Sequence, residues 1–99
     1  MPSAQPFAQT LQLPARLDLS YAAPLAESFL ALRGMNLTVD AAGVQRVGAQ
    51  CVQVILSALS TWRIDEAEFS IVDPSTEFRD ALSLLGIGLA EISIEEAIQ

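Results

Sequence analysis

The sequence predicts a single α/β domain, a mixed sheet of about four to five strands with helices packed mainly on one face. Three observations carry this. Short β-patterned runs alternate along the chain with amphipathic helical runs, an order that places parallel strands side by side beneath helices. Just over half of the residues are apolar (52%), enough for a core at this length without disulfides or metal. No linker or composition break divides the chain, so residues 1–99 read as one domain, with 1–6, which include Pro2 and Pro6, as a flexible start.

Each element has its own signal. From Phe7 to Asp18, Leu11, Leu13 and Leu17 alternate with polar residues, which suits one or two short strands interrupted at Pro14. Ser20 is placed to cap a helix in which Leu25, Phe29 and Leu32 recur at helical spacing; Pro24 is tolerated early in it, and Gly34 ends it. Asn36 to Asp40 reads as a strand with Leu37 and Val39 on one face. Ala41 to Gly48 lacks helical periodicity and reads as a loop, extended through Val44 to Val47. The clearest helix runs from Ala49 to Trp62, with Val52, Ile55, Leu56, Leu59 and Trp62 inward and Gln50, Gln53, Ser57 and Ser60 outward. Phe69, Ile71 and Val72 mark the next strand. Asp73 as N-cap and Pro74 as first helical residue then open a helix with Phe78, Leu82 and Leu85 inward, closed by Gly86. Ile87 to Gln99 alternates Leu and Ile with acidic residues, consistent with a last strand and a short acidic helix.

Composition narrows the chemistry. The chain has no histidine, which removes the commonest general base, the commonest zinc ligand and every Ser/His or Cys/His pair, so no catalytic residue and no metal site are assigned. The single Cys51 cannot form an internal disulfide and fits a reducing compartment. It sits at the inner edge of a helix with no histidine or lysine beside it, so it reads as a buried thiol. A net charge of −7 disfavours nucleic acid and favours a partner that is basic or that docks through apolar contacts. The opening MPSAQPFAQT lacks the basic and apolar regions of a signal peptide, and no apolar run is long enough for a membrane span. The expected location is the cytoplasm, with no membrane insertion and no cofactor.

Several segments, taken in order, resemble a known family. Arg16-Leu17-Asp18-Leu19-Ser20 before an amphipathic helix resembles the strand end and first helix of STAS domains, the fold of anti-sigma-factor antagonists. Asn36 to Asp40, then Val44 to Val52, is similar to the family's central strand and the loop into its second helix. Ile71-Val72-Asp73-Pro74-Ser75, with Phe78, Leu82, Leu85 and Gly86, is similar to its last strand and helix. The resemblance spans roughly residues 10 to 92 and implies a non-enzymatic, protein-binding regulator.

The departure from the family's pattern is as informative. Phosphoregulated members carry an Asp followed by Ser or Thr at the start of the second helix, where N–H groups and the dipole stabilise an anion. Here Gly48 stands in place of the aspartate and Ala49 in place of the hydroxyl, so Ala49 marks a degenerate phosphosite. The Gly48-Ala49-Gln50-Cys51 run is similar to short STAS proteins of α-proteobacterial chemotaxis clusters, which implies a chemotaxis histidine kinase as partner. A STAS subunit of a lipid-transport ABC system, and an anti-sigma-factor antagonist without the phosphoserine switch, are the alternatives. The resemblance places the partner surface on Asp40, Gln45, Arg46, Gly48, Ala49 and Gln50. The same stretch also reads as a surface loop rich in small residues for tight turning.

Overall fold

The structure is a computed structural model and describes residues 9–87 together with 94–95. Its elements are β1 (Gln9–Gln12), β2 (Arg16–Leu17), α1 (Leu19–Ala31), β3 (Leu37–Asp40), β4 (Arg46–Val47), α2 (Ala49–Ile64), β5 (Phe69–Val72), α3 (Thr76–Leu84) and β6 (Ile94–Glu95). Strands β1, β3, β5 and β6 form one sheet in that order, and β2 pairs with β4 in a second, two-stranded sheet. Every strand pairing among the described residues is parallel. Parallel neighbours need a crossover between them, and α1 and α2 supply it between β1 and β3 and between β3 and β5.

The strand alternation sorts the sheet into two faces. Leu37 and Val39 of β3 stand in register with Phe69 and Ile71 of β5, and all four are buried. On the opposite face the register aligns Thr38 with Ser70 and Asp40 with Val72, all half-buried, beside exposed Thr10 and Gln12 of β1. The buried face meets Leu25 and Phe29 of α1 and Val52, Ile55, Leu59 and Trp62 of α2 in one core cluster, which also takes in Phe78 and Leu82 of α3. Phe29, Trp62 and Phe69 form an aromatic triangle with ring centroids 5.7–6.1 Å apart, the spacing at which edge and tilted contacts are favourable. The Trp62 indole N–H donates to the Met35 carbonyl at 2.7 Å, so its one polar atom is satisfied inside the core.

Helix ends required two corrections to the sequence reading. The cap of α1 is Asp18, two residues before Ser20: its carboxylate accepts both the Ser20 N–H (3.1 Å) and the Ser20 hydroxyl (2.6 Å). The cap of α3 is Ser75, whose hydroxyl accepts the Phe78 N–H at 3.0 Å, and Asp73 lies outside the helix with a left-handed backbone (φ 51°). Asp73-Pro74 thus forms the turn that leads into the helix, and Pro74 precedes the cap. Helix α3 closes as expected at Gly86 (φ 77°), where the Gly86 and Ile87 N–H groups return to Ser83 and Leu82. Helix α2 runs past Trp62 to Ile64 and closes in the same pattern, with Glu66 (φ 59°) in the position that favours glycine. The flexible start over 1–6 and the short acidic helix at the C-terminus lie outside the described residues.

Candidate functional site

The loop from Ala41 to Gly48 is anchored on three sides. Its own base is a turn in which the Asp40 carboxylate accepts the Ala42 N–H at 2.9 Å. Buried Val44 pins the middle to the core. On one flank, the N–H groups of Gln45 and Arg46 both donate to the Ala15 carbonyl (2.7 and 3.0 Å), and the Gly48 N–H donates to the Leu17 carbonyl at 2.8 Å. These bonds accompany the β2–β4 pairing, in which Arg16 stands in register with Arg46 and Leu17 with Val47. On the other flank, the Ser75 hydroxyl donates to the Val44 carbonyl at 2.7 Å and the Ser75 N–H to the Ala41 carbonyl at 3.1 Å. The loop is thus a fixed shelf between the starts of α1, α2 and α3.

Of the six residues assigned from the sequence, Gln45, Arg46, Ala49 and Gln50 are exposed on this shelf. Gly48 is the N-cap of α2, and with no side chain it leaves the first-turn N–H groups without a side-chain cap; no acidic residue lies in that turn. A Cβ at Gly48 would sit 3.3 Å from the Leu17 carbonyl oxygen, so the β2–β4 contact leaves little room for a larger residue. Ala49 is the first helical residue. Asp40 stands apart in role, because its carboxylate is turned into its own loop.

Charge is unevenly divided along the sequence. Up to residue 64 the chain carries four arginines against three carboxylates; from residue 65 onward it carries one arginine against nine. The acidity therefore belongs to the last third of the sequence. Ser20, which hydrogen-bonds the Asp18 carboxylate, holds that group below its usual range, with the Arg16 charge adding to the effect. Cys51, in the first turn of α2, is buried and donates its thiol to the Asp18 carbonyl at 3.3 Å. Burial, followed by the Asp18 charge, pushes its pKa up, the opposite of what a reactive thiolate at a helix start requires. Among the described residues no group of three or more His, Cys, Asp or Glu side chains is placed to hold a metal ion. No described helix is long and apolar enough to cross a membrane. What the shelf offers chemically is hydrogen-bonding amides, two guanidinium groups and small side chains, a set suited to binding.

A second concave surface lies elsewhere, a groove of about 340 Å³ between α1 and α2 lined by Phe29, Leu30, Val54 and Trp62 among others. At its end Arg33 and Asp65 form an ion pair at 2.8 Å. None of the six assigned residues lines this groove.

A protein-family model described as "Mlab, STAS domain" matches residues 1–92. The chain belongs to the STAS family. Solved structures agree with that fold. A Thermotoga maritima protein described as a candidate anti-sigma factor antagonist superposes with a TM-score of 0.75 at 16% identity, covering 95% of this chain and 82% of that one. An NMR structure of the same protein gives 0.72 at 19%, covering 96% and 78%. An anti-sigma-factor antagonist (STAS) domain protein from Planctomyces limnophilus gives 0.69 at 17%, covering 91% and 82%. At these identities the likeness is one of fold. No curated protein sequence matches the chain.

Within this STAS fold the sequence reading missed two residues of the shelf. Arg16 was assigned only to a strand end, because nothing local shows that it pairs with a strand 30 residues away. Ser75 was passed over because Asp73-Pro74 offers the stronger local capping signal; the Ser75-x-x-Phe78 spacing was the clue available.

Proposed function

We propose that this STAS domain is a non-catalytic regulator that docks on another protein through the shelf around Gln45, Arg46, Gly48, Ala49 and Gln50, with Asp40 bracing it. The observation that supports the reading is the shelf's construction: backbone and Ser75 hydrogen bonds and buried Val44 hold it in place, leaving Gln45, Arg46, Ala49 and Gln50 exposed. Such loops on rigid scaffolds carry recognition. Ala49 has no hydroxyl to phosphorylate, so docking is constitutive at this position. The partner we favour is a chemotaxis histidine kinase in bacterial signalling, met in the cytoplasm.

A second reading has its own support. The matching family model is described as Mlab, which favours the STAS subunit of a lipid-transport ABC system docking on its ATPase over an anti-sigma-factor antagonist. The test is direct binding of the purified chain to each candidate, kinase and transporter ATPase, by surface plasmon resonance. Arg46→Glu and Gln50→Arg are expected to weaken binding to the true partner at least about tenfold, or about 1.4 kcal/mol, without lowering Tm. Binding to the ATPase and not to the kinase replaces the first reading with the second. Binding that survives both substitutions removes the shelf as the docking surface.

A further inference from the structure

The β2–β4 pair places two like charges side by side. Arg16 and Arg46 are register partners in parallel strands, about 4.8 Å apart along the hydrogen-bonding direction, and both are exposed. Like charges directly opposite one another in a sheet are destabilising, so this juxtaposition gives the fold nothing. Among the described residues neither arginine forms an ion pair. The nearest carboxylates in sequence form no ion pair with them: Asp18 accepts from Ser20, and Asp40 accepts from Ala42. Beside the arginines begins α2, with no side-chain cap and no acid in its first turn, so its partial positive charge adds to theirs. Two arginines without an ion pair and an uncapped helix start therefore share this surface, with Asp18 as a carboxylate that feels the Arg16 charge.

We propose that Arg16 and Arg46 form a receptor for a carboxylate-rich segment of a protein partner, its Asp or Glu side chains bridging the two guanidinium groups. This rests on the docking surface proposed above and names the chemistry it selects. It also departs from the expectation from net charge, which favours a partner that is basic or that docks through apolar contacts. Arginine suits the role because its planar fork binds carboxylates bidentately.

The experiment titrates the full-length, ¹⁵N-labelled chain with an octaglutamate peptide at low salt and follows the amide resonances. Saturable shifts are expected at residues 16–20 and 45–51. In the Arg16→Gln/Arg46→Gln double variant the midpoint should rise at least about tenfold, and added salt should weaken binding in the unsubstituted chain. Arg63→Gln, remote at the far end of α2, should leave the midpoint unchanged. No shifts, shifts centred elsewhere, or an unaffected double variant would overturn the inference. A second readout needs no ligand: Arg46→Glu replaces repulsion of Arg16 with attraction and should raise Tm by about 1–3 °C; a fall in Tm contradicts the repulsion. The two proposals fail separately. A kinase or ATPase that binds the double-glutamine variant as well as the original chain removes this inference alone. Octaglutamate binding without any partner complex removes the partner assignment alone.

Discussion

At its C-terminal end α2 meets the sheet through Trp62, wedged between Phe29 and Phe69. At its N-terminal end it starts on Gly48 and Ala49 and is tied to its neighbours by backbone hydrogen bonds and by Ser75 acting from α3. One end is held by ring area; the other combines main-chain hydrogen bonds with the smaller buried side chains Val44, Cys51 and Val52, and leaves Gln45, Arg46, Ala49 and Gln50 outside the core. The contrast explains how a binding surface can change its exposed residues without unfolding the domain. The largest buried rings lie at one end, and the residues proposed for docking lie exposed at the other.

Substitutions can break or sharpen that contrast. The largest expected effect is Phe69→Ala, which removes a corner of the aromatic triangle and should lower the unfolding free energy by about 3–5 kcal/mol in urea titrations. A loss below about 1 kcal/mol would mean the rings are not the anchor. Next is Ser75→Ala, which deletes the α3 cap and leaves the Val44 carbonyl unpartnered; about 1–2 kcal/mol is expected, with amide exchange quickening at Val44 and Phe78. Gly48→Ala should cost about 1 kcal/mol or less: alanine is a poorer N-cap than glycine, and its methyl would crowd the Leu17 carbonyl. A larger loss than at Phe69 would invert the comparison.

The aromatic end was the more legible of the two. Apolar spacing at Leu25, Phe29, Val52, Ile55, Leu59 and Trp62 predicts which faces turn inward, and those residues are buried, whereas Leu85, expected inward by the same spacing, lies exposed at the end of α3. The alternation of strands and helices predicted the α/β class for the same reason, since burial of one face leaves a periodic trace in the chain. The shelf leaves no such trace. Its support comes from Ala15, Leu17 and Ser75, far away in sequence, and two-residue strands are too short to show a period. Capping failed locally too: Ser20 and Asp73 are both good cap residues, but the backbone chose Asp18 and Ser75 because register with the strands before them decides where each helix begins. The six assigned site residues rest on family resemblance; in the structure Gln45, Arg46, Ala49 and Gln50 are exposed, Gly48 caps α2, and the Asp40 carboxylate bonds its own loop.

The pairing of β2 with β4 has a consequence for kinetics. Because the Gly48 N–H is bonded to the strand that feeds α1, the starts of α1 and α2 are tied to one another. A partner docking there as proposed would meet a surface already braced by hydrogen bonds, and complex formation should lose little chain entropy. Association should then proceed at a rate set by diffusion and orientation, with the lifetime of the complex, and not its speed of formation, distinguishing one partner from another.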